Sequence, residues 1–232
     1  MRPDSMHSRK YMNEKKPYLS IVEHYENCFK RFGDSHLGVD WMNKEDAESR
    51  YQVMLEIIDK NIASKISLLD FGCGVSGLYD YILDHGILNI EYSGLDISPA
   101  FIEASQKKYP KIEYYNIDIL DSDIFLPQFD YIVMNGVFTE KLSLSFGEMF
   151  TYFCTVIEKS FAFCKQGLAF NVRSELTERL DHDLFHLSMD KLAQFLNQKI
   201  SRNFIIRHDY GLEEYTVYVC KRLSTSVLSE NQ

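Results

Sequence analysis

The residues of this sequence best suited to chemistry gather around one turn, Asp70-Phe71-Gly72-Cys73-Gly74-Val75-Ser76-Gly77. Gly72, Gly74 and Gly77 stand in the spacing G-x-G-x-x-G, which lets a chain pass tightly from a strand into a helix and approach a ligand with no Cβ in the way. That spacing suits more than one nucleoside-bearing ligand. Asp70 discriminates between them. A carboxylate at the strand end repels a pyrophosphate at short range and attracts a ligand that carries ammonium and sulfonium charge. Asp96, in Y-S-G-L-D-I-S, offers two acceptor oxygens to the paired hydroxyls of a ribose.

These residues need strands to hold them. Four short apolar runs, Ile66–Asp70, Ile90–Asp96, Ile112–Asn116 and Tyr131–Asn135, are each followed by a polar turn and, except after the third, by a segment of helical period. Leu78–His85 and Pro99–Tyr109 read as helices, with Ser98 as N-cap and Pro99 in the first turn. The amphipathic stretch Phe146–Cys164 precedes a fifth strand, Gly167–Val172, and Met189–Lys199 forms a further helix. Phe204–His208 and Tyr215–Lys221 are separated by too few residues for a crossover helix, so they must pair antiparallel. The expectation is an α/β, Rossmann-like three-layer sandwich with a seven-stranded, mainly parallel sheet and a C-terminal antiparallel hairpin. Residues 1–16 read as a disordered tail, 17–63 as an N-terminal helical cap with one helix at Pro17–Phe32 and another through Tyr51 to Ile62, and 64–224 as the Rossmann-like domain.

The motifs resemble those of class I S-adenosylmethionine-dependent methyltransferases. L-L-D-F-G-C-G-V-S-G is similar to that family's first motif, Y-S-G-L-D-I-S-P-A to its ribose motif, N-I-D-I-L-D to its adenine-side acidic loop and F-D-Y-I-V-M-N-G to its fourth strand. The resemblance implies S-adenosyl-L-methionine as cofactor, Asp118 near the adenine amino group, Ile97 and Ile119 flanking the ring, and Asn135 and Gly136 bordering the methionine end. Asn135-Gly136-Val137-Phe138 keeps the Asn and the aromatic residue of the family's N-P-P-aromatic motif but lacks both prolines, so it does not identify the acceptor atom as nitrogen.

In an open α/β sheet the ligand lies beyond the carboxyl ends of the strands, so the acceptor is expected there. His182, His186, His208 and, if burial raises its pKa, Glu140 are the candidate bases, and the segment Ser174–Leu187 is a candidate lid. Tyr25, Trp41, Arg50 or Tyr51 from the N-terminal region are expected to close the pocket against the methionine part or the acceptor, with Arg50 paired to the methionine carboxylate.

A formal net charge of −9 counts against a nucleic-acid partner and favours a small-molecule or sugar-like acceptor; a protein or RNA methyltransferase and a non-catalytic cofactor-binding module are the alternatives. Five scattered cysteines without a C-x-x-C pair read as reduced thiols, and no metal site is expected from the histidine spacing. No apolar run is long enough for a membrane span and the N-terminus has no signal-peptide core, so a cytoplasmic protein is expected, with a homodimer left open.

Overall fold

The computed structural model describes residues 16–59 and 64–221. Its elements run α1 (Leu19–Phe32), α2 (Lys44–Leu55), β1 (Ile66–Phe71), α3 (Gly77–Asp84), β2 (Ile90–Asp96), α4 (Pro99–Lys108), β3 (Glu113–Asn116), β4 (Phe129–Phe138), α5 (Phe146–Phe163), β5 (Cys164–Ser174), β6 (His186–Leu187), α6 (Met189–Phe195), β7 (Phe204–Arg207) and β8 (Glu214–Cys220). A 3-10 turn, His36–Val39, lies between α1 and α2, and a π-helical stretch, Leu196–Ile200, continues α6.

Strand order is β3-β2-β1-β4-β5-β8-β7, parallel throughout except that β8 runs antiparallel to both β5 and β7. This is the expected seven-stranded sheet with its terminal hairpin. The two-residue β6, an eighth strand, pairs parallel with the end of β5 inside the segment expected to be a lid.

Alternation along the strands builds two apolar cores. Leu69 and Phe71 of β1, Ile132 and Met134 of β4, and Leu168 and Phe170 of β5 pack on one face with Phe153 and Val156 of α5 and Leu192 of α6. Leu68, Tyr131, Val133 and Ala169 pack on the other with Val53 and Met54 of α2 and Leu78 and Ile82 of α3. A period of two with both phases apolar is what a parallel sheet covered on both faces requires. Phe153 meets Phe138, Phe170, Phe185 and Phe195 with ring centroids 4.9–5.9 Å apart, so truncating it to alanine removes about 3–5 kcal/mol of packing. Phe138, the aromatic that follows Asn135-Gly136, is fully buried in this cluster and serves packing.

Helix starts follow their caps. Ser98 accepts from the Phe101 N–H ahead of Pro99, and Ser145 forms a reciprocal capping box with Glu148. The second N-terminal helix begins earlier than apolar period suggests, at Lys44, because Asn43 accepts the Asp46 N–H; it ends at Leu55, short of the expected Ile62, which lies outside the described residues. Residues 1–15 of the expected tail lie outside them as well. Lys16, assigned to that tail, instead holds Asp118 and Asp121 at 2.6 Å each.

Candidate active site

At the carboxyl ends of β1, β2 and β4, beneath α1 and the turn before α2, lies a cleft of about 490 Å³. Asp70, Gly72, Gly74, Gly77, Asp96, Ile97, Asp118, Ile119, Asn135, Gly136, Tyr25 and Trp41 all line it. Thus every cofactor-side residue expected from sequence borders this one space, with the exception of Arg50.

The glycine turn is shaped by its backbone. Gly72 and Gly74 hold φ of +75° and +51°, a region that β-carbons disfavour. The Gly74 N–H donates to Asp96 Oδ2 at 3.0 Å, and the Ser98 N–H donates to Asp96 Oδ1 at 2.9 Å, so the Asp96 carboxylate is oriented by two backbone donors. Behind the turn, Ser105 Oγ donates to the Gly74 carbonyl at 2.9 Å, and Ser76 Oγ joins Ser105 Oγ and Tyr114 Oη. This hydroxyl chain supports the turn from outside the cleft lining.

Asp70 and Asp96 are both deeply buried. Loss of water pushes Asp70 up to about 7, against the Tyr92 hydroxyl, which donates to Asp70 Oδ2 at 2.8 Å, and with a further upward push from Asp96. Burial raises Asp96 to about 6, against the Ser98 and Gly74 N–H groups. Two carboxylates that desolvation makes reluctant to ionise are a place where a cationic ligand gains.

The end of β4 is irregular. Pairing with β5 runs Met134 to Phe170 and then Phe138 to Val172, so β4 bulges through Asn135-Gly136-Val137. Gly136 takes φ +77°, and its N–H, lost to the strand ladder, donates to Asn171 Oδ1 at 2.8 Å. Asn171 Nδ2 donates to Glu214 Oε1 at 2.8 Å, and Arg50 closes the chain with a forked pair onto Glu214 at 2.9 and 3.0 Å. The Arg50 guanidinium lies 5.2 Å from the Trp41 ring, and Trp41 covers Gly136: a Cβ there would lie 3.3 Å from its Nε1. Tyr25 Oη donates to the Gly136 carbonyl at 3.4 Å.

Asn135 itself has neither amide atom hydrogen-bonded among the described residues, although it is nine-tenths buried. A donor and an acceptor left open in the wall of a cleft fit a polar ligand group.

Four expectations are corrected. Arg50 does not reach the cleft; Glu214, too far along the chain to be matched to it by spacing, has claimed its guanidinium. His186 is no free base: Nε2 accepts the Asp181 N–H at 3.2 Å, which leaves Nδ1 to donate to the Ser174 carbonyl at 2.8 Å. His182 is almost fully exposed beside Asp183 and lies away from the cleft. Glu140 is buried and raised to about 7, by desolvation first and by Asp40 next, but it too lies outside the cleft lining, bridged through its backbone to Leu184. The segment expected to be a lid is fastened there: the Lys141 and Leu142 N–H groups donate to the Asp183 carbonyl and the Phe185 N–H to Thr139.

Asp118 lines the cleft but is engaged, accepting from Tyr18 Oη at 2.6 Å and from Lys16. Burial alone would raise it, yet the Lys16 and Tyr18 hydrogen bonds outweigh that and hold it below the usual carboxylate range. Tyr51, expected from sequence at the pocket, lines the cleft over Gly77; reasoning from sequence missed Tyr152, which stacks on Tyr18 at 4.9 Å and lines the same end, and Val39, which covers Gly74. Their apolar period marked some of them as core residues, and nothing in their spacing pointed to a ligand.

Comparison with known proteins agrees with this geometry. The profile of a family described as a methyltransferase domain matches residues 69–141, from the glycine turn to the β4 bulge. A Mycobacterium tuberculosis protein named as a methyltransferase is 28% identical over 167 residues, spanning 69% of this chain and 96% of its own. Among solved structures, Synechocystis magnesium protoporphyrin IX methyltransferase aligns with a TM-score of 0.58 at 15% identity over 88% of this chain and 96% of that one. Burkholderia thailandensis 1,6-didemethyltoxoflavin-N1-methyltransferase aligns with a TM-score of 0.58 at 16% identity over 89% and 91%. The structures speak for the fold, and the methyltransferase-domain profile lies on the very segment that builds the cleft; together these likenesses support a class I S-adenosylmethionine-dependent methyltransferase.

Proposed function

We propose that this enzyme transfers the methyl group of S-adenosylmethionine to a small organic acceptor held between the β4 bulge and the N-terminal helices. The observation that carries this reading is the unpartnered, buried amide of Asn135 in the wall of a cleft whose volume of about 490 Å³ suits small ligands. The cofactor supplies an activated methyl on a sulfonium; the chain must bind, orient and exclude water.

In this reading Asp96 accepts the ribose hydroxyls, Ile97 and Ile119 sandwich the adenine, and Asp70 offers charge to the cationic methionine end. Gly72 and Gly74 let the backbone approach. Asn135 orients polar atoms near the reacting centre, and the Arg50–Glu214–Asn171 chain holds Gly136, and through Trp41 the roof, in place. Tyr25, Trp41, Tyr51 and Tyr152 give the cleft aromatic walls, which suit a flat acceptor. Both structural relatives are named for acceptors of that flat kind, a porphyrin and a toxoflavin precursor. With His182, His186 and Glu140 outside the cleft, alignment and desolvation carry the transfer without a base from these residues.

Formation of S-adenosylhomocysteine from S-adenosylmethionine on adding a metabolite extract, with the methylated product identified by mass spectrometry, tests the reading. Turnover only with a protein or RNA fraction would replace the small acceptor with a macromolecule; cofactor binding without turnover in any fraction would make the chain a binding module. A formal net charge of −9 weighs against RNA.

A further inference from the structure

We propose that His24, Cys28 and Asp40 form a binding site for a divalent transition-metal ion of the zinc class, on the face of α1 next to the 3-10 turn. His24 and Cys28 are one helical turn apart, so one face of α1 presents an imidazole and a thiol together. Asp40 arrives from the end of the 3-10 turn, held at φ +59° with its N–H bonded to the Leu37 carbonyl.

The three donor atoms lie within 4.8 Å of one another. His24 Nε2 is 2.7 Å from Asp40 Oδ2, and Cys28 Sγ is 3.9 Å from His24 Nε2. Bonds of about 2.0–2.3 Å in a tetrahedron place donors about 3.3–3.6 Å apart, so the His24–Asp40 pair would open by roughly 0.6–0.9 Å and the other two separations would close by between about 0.3 and 1.5 Å, shifts within the reach of side-chain rotation. A mixed nitrogen, sulfur and oxygen set selects zinc-class ions over magnesium and calcium, which take oxygen. Three protein ligands leave a fourth position for water or another small ligand. The side chains of His24 and Asp40 are about one-third exposed, so an ion can enter from solution.

The placement gives the ion a consequence. Tyr25 adjoins His24, Val39 and Trp41 flank Asp40, and all three line the cleft. An ion that ties α1 to the turn at Asp40 therefore stiffens the roof of the pocket. Sequence spacing hides the site, because Asp40 is brought to the His-Cys pair only by the fold.

Cobalt(II) titrated into the reduced, tag-free chain tests the proposal. The expected result is saturation at one equivalent, with a thiolate-to-cobalt absorption band that zinc displaces. Cys28→Ser should abolish that band, and His24→Ala should weaken binding at least about tenfold, both with melting curves close to that of the parent. Independently of any variant, zinc should slow alkylation of Cys28, mapped by mass spectrometry, and leave Cys154 and Cys220 unaffected. Absence of saturable cobalt or zinc binding, binding unchanged in both variants, or equal alkylation of Cys28 with and without zinc would each overturn it, leaving His24 and Asp40 as an ion pair.

Discussion

The turn after β1 and the end of β4 border the same cleft but are stabilised by different means. The β1 turn is local: Asp70, its glycines and Asp96 come from two adjacent strands, and backbone N–H groups and a buried hydroxyl chain hold it. The end of β4 is assembled from afar, with Asn171, Glu214, Arg50 and Trp41 arriving from β5, β8, α2 and the turn before α2 to support one glycine. The first region resembles a ready-made cradle. The second is a clamp whose parts are charged and buried, and it leaves Asn135 free to bind. The β1 turn rests on backbone shape, whereas the β4 end depends on a long-range ion pair that can be broken by a single change.

The largest effect is expected at the cradle. Gly74→Val puts a branched side chain at φ +51° with its Cβ 3.1 Å from Val39 Cγ1, and should abolish S-adenosylmethionine binding in isothermal titration. Retained affinity would show that the backbone there does not approach the ligand. Asp96→Ala should weaken binding by about 10- to 100-fold, since charge-assisted hydrogen bonds contribute about 1.5–3 kcal/mol.

Breaking the clamp should act differently. Glu214→Gln leaves the largely buried Arg50 without its counter-charge, a change that costs about 3–5 kcal/mol when one partner of a buried pair is removed. Denaturant melts should show that loss, and the emission of Trp41, the chain's one tryptophan, should shift as its roof position loosens. If turnover falls while cofactor affinity holds, clamp and cradle are separate devices; equal loss of both would merge them.

A pH series separates them further. Asp70, about 7, must be ionised to attract the cationic end of the cofactor, so cofactor affinity should rise by up to about tenfold between pH 6 and 8, and Asp70→Asn should flatten the curve. Stability of the free chain runs the other way. Asp70, Asp96 and Glu140 have folded-state values raised above about 4, so their contribution is complete below that pH and is lost as pH rises through 6 to 7. The free chain should melt lower at pH 8 than at pH 5.5, and S-adenosylmethionine should narrow the gap. Smallest of all, His182→Ala should change turnover by less than about twofold, as expected for an exposed side chain away from the cleft.

Much of this protein was legible along the chain because its governing patterns are short-range. Strand alternation, the Ser98 cap before Pro99, the positive-φ glycines and the carboxylates at strand ends each depend on residues a few positions apart, and together they specified the sheet and the cofactor side. The clamp was not legible: nothing in the sequence tells Arg50 that its partner is Glu214 and not a ligand carboxylate, because both offer the same charge. The histidines misled for a related reason, since His186 has the chemistry of a base but the fold spends both of its nitrogens on the backbone. Local pattern alone determined where the backbone turns and which cofactor charge the turn favours. Which polar side chains stay free to act was decided only when the tertiary structure paired the others, since hydrogen bonds and ion pairs depend on distances that residue order does not contain.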